Sequence, residues 1–208
     1  MRQQTNTEER WNALTHGIAA IFGVLGLIVM CIKVDVDQSW GLFSVMVYGL
    51  SLVILFTAST LYHYVRSEAC KHYFRIVDHI SIYLLIAGTY TPVLLLLLSD
   101  SLGWTLFWII WGIAVFGLVL KLFFTGKFEI FSTLLYLVMG WLIVFDFTNL
   151  SNAMDPLGIA WLYAGGLFYT VGIVFYVIQK IPFNHVIWHL FVMGGAFCHF
   201  MMIYFYVL

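Results

Sequence analysis

The chain has 208 residues, 63% of them hydrophobic, 19% aromatic and 9% charged, with a formal net charge of −1. Water-soluble domains carry about 25% charged residues, so a soluble monomer of this composition could not cover its own surface, and the mean hydropathy of +0.99 points to lipid as the solvent. The charge balance leaves no basic patch for nucleic acid, and the three cysteines, Cys31, Cys70 and Cys198, have no C-x-x-C spacing and argue against a disulfide framework.

The first residues, MRQQTNTEER, are polar and lack the pattern of a cleavable signal. Residues 1–14 are expected to form a short cytosolic segment ahead of a single transmembrane domain. A spanning helix needs about 20 apolar residues at 1.5 Å rise each, and seven segments meet that length. The first is predicted over Thr15–Lys33, with His16 at its opening; VDVDQS then breaks the pattern. The second runs over Trp40–Tyr64, carries Ser59 and His63 near its end, and stops at VRSEACKHY. The third runs over Phe74–Leu98, with Asp78 and His79 in its first turns. Pro92 in that helix is expected to kink it, because proline cannot donate to the carbonyl of Gly88 and its ring crowds that turn. After SDSL comes Gly103–Phe124, and after TGK comes Glu129–Thr148, where Asp146 reads as a satisfied interfacial group. NLSNAMDP precedes Leu157–Gln179, and QKI precedes Pro182–Leu208, which opens with His185 and His189. None of these segments alternates as a barrel strand does, so the expected fold class is all-α, with seven transmembrane helices whose backbones are satisfied internally.

Seven spans put the N-terminus on one side together with the second, fourth and sixth loops. That side carries Arg2, Arg10, Arg66, Lys71, Arg75, Lys121, Lys127 and Lys180; the other carries Lys33 alone. The positive-inside rule therefore predicts a cytosolic N-terminus and an external C-terminus. G-protein-coupled receptors have the opposite orientation, and a retinal protein needs a lysine in its seventh helix, which Pro182–Leu208 lacks.

Ionisable side chains inside a bilayer cost about 2.5–3.5 kcal/mol each even on insertion scales, so their positions carry information. His16, His63, Asp78, His79, His185 and His189 all fall within about 15 Å of the predicted cytosolic boundary. His185 and His189 stand at i and i+4, which projects both rings from one helix face about 6 Å apart. His63 would add a third nitrogen, and three histidines with an open fourth position make a catalytic type of zinc site. Ser59 lies one turn before His63, on the same face. Asp78, at the same depth, could offset the charge of the ion or act as a general base. The bland alternative is a set of histidines at headgroup level. His79 points about 100° away from its neighbour Asp78, His72 reads as a solvated loop residue, and His199, about 15 Å deeper than His189, suits a helix–helix hydrogen bond.

These residues lie in four ordered motifs: EERWNALTHG, with Glu8, Glu9, Asn12 and His16; STLYH, with Ser59 and His63; DHISIYLLIAGTYTP, from Asp78 to Pro92; and HVIWH followed by CHF, with His185, His189 and His199. In this set, over nearly the whole chain, the protein resembles the hemolysin III proteins, the bacterial branch of the progestin and adipoQ receptor family. The resemblance implies that His63, His185 and His189 hold zinc, that Asp78 lies beside the water on the metal, and that Ser59 is close by. It also implies kinship with the alkaline ceramidases, which hydrolyse a lipid amide. The chain lacks the long N-terminal region of the adiponectin receptors, which argues against receptor signalling and fits a plasma-membrane protein of bacteria. Three functions stay open on sequence: a zinc-dependent hydrolase of a lipid amide or ester, with the bilayer and a lipid substrate as partners; a non-enzymatic channel-forming cytolysin or regulator of membrane homeostasis; and a structural metal site stapling the second and seventh helices.

Overall fold

The computed structural model describes residues 4–208; Arg2, counted above among the cations of the N-terminal side, lies outside them. Seven helices are long and apolar enough to cross a membrane: α1 Asn6–Lys33, α2 Gly41–Tyr64, α3 Glu68–Leu97, α4 Gly103–Phe124, α5 Glu129–Ala153, α6 Pro156–Val177 and α7 Asn184–Tyr206. The described residues contain no strand.

Local chemistry accounts for the helix starts. α1 begins at Asn6 rather than at Thr15, because Thr5 and Glu8 form a reciprocal capping box: the Thr5 hydroxyl accepts from the Glu8 N–H and the Glu8 carboxylate accepts from the Thr5 N–H. Asp155 caps α6 by accepting from Leu157 N at 2.8 Å, with Pro156 at the first helical position. α3 runs as an α-helix through Pro92 and then widens into a π-wound turn over Val93–Leu97, the kind of local adjustment that relieves a proline inside a membrane helix. α5 is likewise interrupted, by a 3-10 segment over Leu142–Asp146.

α1 packs on α2 and α7, α2 on α3, α3 on α4, and α6 on α7, with α5 between α3 and α6. The interior is filled by Tyr48 of α2, Tyr83 and Leu94 of α3, and Ile110 of α4, all fully buried. Large apolar side chains such as Ile21, Phe22, Ile32, Phe123 and Ile130 face outward, as lipid permits and water does not. α2 and α3 approach closely at Gly88, where an added Cβ would stand 2.3 Å from the Ser51 hydroxyl, so a small residue is required there.

Several charged groups at the end holding the N-terminus are paired. Lys121 is completely buried and donates to Glu129 at 2.9 Å; Arg75 reaches the other oxygen of Glu129 at 3.4 Å. Asp146, near the opposite end, accepts from Ser101 at 2.5 Å, the Leu102 N–H at 3.0 Å and Asn149 at 2.7 Å, and is satisfied as expected. Lys33, also at that end, donates to the Tyr204 carbonyl and lies over the Tyr204 ring.

Candidate metal centre

Three helix termini converge where α1 enters the bundle. α2 delivers His63 in its last turn, with Ser59 one turn earlier. α7 delivers His185 and His189 in its first two turns. The start of α7 is held by Phe183, whose backbone is left-handed (φ 57°) and whose N–H donates to the Glu8 carboxylate at 3.0 Å, and by Asn184, which donates to the Phe175 carbonyl at 3.1 Å. One ring nitrogen from each of His63, His185 and His189 lies within 4.8 Å of the others, and among the described residues this is the one group of three or more metal-type ligands. Ring centroids are 5.1 Å apart for His63 and His185, 5.0 Å for His63 and His189, and 4.7 Å for His185 and His189.

His63 and His189 are buried and His185 is half-buried. The Nδ1 of His63 contacts the Glu9 carboxylate at 2.5 Å, whereas its Nε2 is buried with no hydrogen-bond partner in the protein. An orphaned imidazole nitrogen among two further imidazoles would be costly if nothing bound it. The donor set therefore fits a divalent transition metal, which imidazole suits and which takes three protein ligands in open sites.

His63 and His185 line a cavity of about 960 Å³ together with Glu9, Lys71, Arg75 and Asp78. Asp78 is half-buried, and its carboxyl interacts with the Ser59 side chain. The serine and aspartate singled out in the sequence thus form a pair beside the histidine cluster, with Ser59 itself buried. His79 also borders that cavity, but it is not one of the three clustered histidines: its Nδ1 lies 3.7 Å from a Glu129 oxygen. His72 is exposed, and His199 of α7 approaches the Leu162 carbonyl of α6 at 3.4 Å, the inter-helix contact its depth implied.

Two contacts were not legible in the sequence. Glu9 joins His63 and also accepts from Lys71 of α3. His16 lies flat against His189, with centroids 3.5 Å apart. The signal that could have found both was the spacing of Glu9, Asn12 and His16 at i, i+3 and i+7, one stripe of a helix, had the helix been extended back through the charged residues.

The fold and this centre define a multi-pass membrane protein of seven helices with a three-histidine cluster at one end of the bundle. A family model described as Haemolysin-III related matches residues 4–200, and the chain belongs to that family. It is 45% identical over 202 residues to Hemolysin-3 of Bacillus cereus, covering 97% of this chain and 92% of that protein. It is 41% identical over 203 residues to the Hemolysin-3 homolog of Bacillus subtilis (strain 168), covering 97% and 95%. The human Monocyte to macrophage differentiation factor is 31% identical over 206 residues, covering 96% of this chain and 84% of that protein.

Proposed function

We propose that the protein is a zinc-dependent hydrolase of the cell membrane, acting on a lipid amide or ester, with its N-terminus and its metal centre on the cytosolic side. The observation that carries the reading is the meeting of three imidazoles, one with an orphaned nitrogen, at the wall of a cavity that also holds a carboxylate. His63, His185 and His189 hold the ion. Zinc bound there supplies Lewis acidity towards a carbonyl and activates water near neutral pH.

The chain's own residues do the rest. Asp78 lines the cavity and accepts a proton from the attacking water; Ser59, which interacts with its carboxyl, favours the charged form that can do so. Two apolar cavities of about 110 and 240 Å³ lie deeper in the bundle, sharing Thr89, Tyr90, Gly140, Trp141, Gly166 and His199. They suit hydrocarbon, and they support a substrate that enters from the bilayer rather than from water. Apolar linings at that depth also argue against a conducting path, which needs polar groups through the whole membrane. The names of the two Bacillus relatives associate them with haemolysis, and lipid cleavage is one chemistry by which a membrane is weakened.

The test is turnover by purified protein in micelles of defined lipids, read by mass spectrometry of released fatty acid. Zinc-loaded wild type should release it and His63→Ala and His189→Ala should not; equal release by all three would refute the reading.

A further inference from the structure

We infer that Glu9 is a positioning residue for the metal centre: its carboxylate fixes the tautomer and aim of His63, so that the first turns of α1 belong to the site. The inference rests on the metal reading above and deepens it.

A neutral imidazole has one N–H and one lone pair, and the partner of one nitrogen decides which is which. Glu9 offers only acceptor oxygens, and one of them lies 2.5 Å from His63 Nδ1. The proton is therefore held at Nδ1 and the lone pair at Nε2, the buried nitrogen with no partner in the protein. A carboxylate behind a ligating histidine orients the ring and raises its basicity. The contact is well shielded, with the His63 side chain 2% exposed and that of Glu9 19% exposed. The other Glu9 oxygen accepts from Lys71 Nζ, so the carboxylate cannot swing away without losing a second partner.

α1 also sets a side chain beside His189, the second candidate ligand. The Thr15 hydroxyl, which donates to the carbonyls of Trp11 and Asn12 at 2.9 and 3.0 Å, lies 3.5 Å from His189 Nδ1. With that proton shared by carbonyls, the hydroxyl oxygen has a lone pair to accept an Nδ1–H of His189, the tautomer that would present Nε2 as a ligand. A plain ion pair tying α1 to α3 would need Lys71 and Glu9 but not the contact to a ring nitrogen.

The experiment is zinc titration of purified full-length protein against a competing chelator, for wild type, Glu9→Gln, Glu9→Asp and Asp100→Asn, together with ¹⁵N-histidine NMR of the metal-free forms. Glu9→Gln should weaken zinc binding about 10- to 100-fold, Glu9→Asp should recover part of the loss, and Asp100→Asn, which removes an exposed carboxylate in the loop before α4, should match wild type. His63 of metal-free wild type should be protonated at Nδ1. Wild-type affinity in Glu9→Gln, or an Nε2-protonated His63 in the wild type, overturns the inference. The second readout needs no variant to fold. Wild type that binds no stoichiometric zinc overturns the metal reading itself, a result distinguishable from the failure of Glu9 alone.

Discussion

The imidazole of His16 lies face to face with that of His189, centroids 3.5 Å apart and planes within 8° of parallel. Phe56 makes the other ring contact of His16, edge-on at 5.0 Å, so His16 is held between a candidate ligand histidine of α7 and an aromatic of α2. His189 has little freedom as a result: one face is covered by His16, and its Nδ1 is met by Thr15. His16→Ala should remove the about 0.5–1.5 kcal/mol of a stacked pair and open space behind the ligand. The expected outcome is a lower melting temperature and weaker zinc binding, with His16→Phe recovering the stability. A melting curve of His16→Ala identical to wild type would show that the stack does not hold His189.

Replacing His63, His185 or His189 singly by alanine should abolish stoichiometric zinc in the purified protein, a larger loss than the about 10- to 100-fold expected of a supporting partner. Chelation separates catalysis from stapling. If the ion only ties α2 to α7, removing it lowers the melting temperature and touches no turnover; if it is catalytic, turnover is lost and returns with added zinc.

Lys121 and Glu129 form an ion pair in which the lysine side chain is 1% exposed. Removing one member of such a pair leaves an uncompensated buried charge and costs about 3–5 kcal/mol. Glu129→Gln should therefore unfold at markedly lower temperature in detergent. The double replacement Lys121→Met with Glu129→Gln should be much milder, because neither charge is left behind. Arg75, also on Glu129, is retained in both, so the comparison isolates the lysine. Equal damage in the single and double variants would contradict this.

Gly88→Ala should destabilise the α2–α3 contact by about 1–3 kcal/mol, the usual cost of forcing atoms into a packed interior. The added methyl would lie 2.3 Å from the Ser51 oxygen and 2.8 Å from its Cβ. Ser51→Gly in the same protein removes both atoms and should restore part of the loss, measured by thermal melting; no restoration would place the strain elsewhere.

The seven spans were legible because an uninterrupted apolar run has one reading in lipid, and Gly103–Phe124 was delimited to the residue. The HVIWH spacing was legible because i and i+4 share a helix face whatever surrounds them. The entry of α1 into the site was not. Glu8, Glu9 and Arg10 read as a solvated prelude, since nothing local says that Glu9 will meet a histidine 54 residues away. Glu8 likewise carries charge yet is 3% exposed, because it caps its own helix and accepts from Phe183 of the distant α7 start. Lys121 misled in the same manner: it counts as a boundary cation in a charge tally, yet its partner Glu129 buries it. Long-range pairing converts surface-type residues into interior ones, and local patterning does not record it.

The orientation has its own test in Cys70, which is exposed near the start of α3, whereas Cys198 is buried. The described cations at that end are Arg10, Arg66, Lys71, Arg75, Lys121, Lys127 and Lys180, against Lys33 at the other, and this bias predicts that Cys70 faces the cytosol. In a variant carrying Cys31→Ser and Cys198→Ser, a membrane-impermeant maleimide should label Cys70 in inside-out vesicles and leave it unlabelled in intact cells. The cavity holding His63, Asp78 and His185 is lined by Cys70 as well, so the labelled side is also the side from which the candidate centre meets water. Labelling in intact cells would move the whole centre to the outer surface and leave its internal geometry untouched.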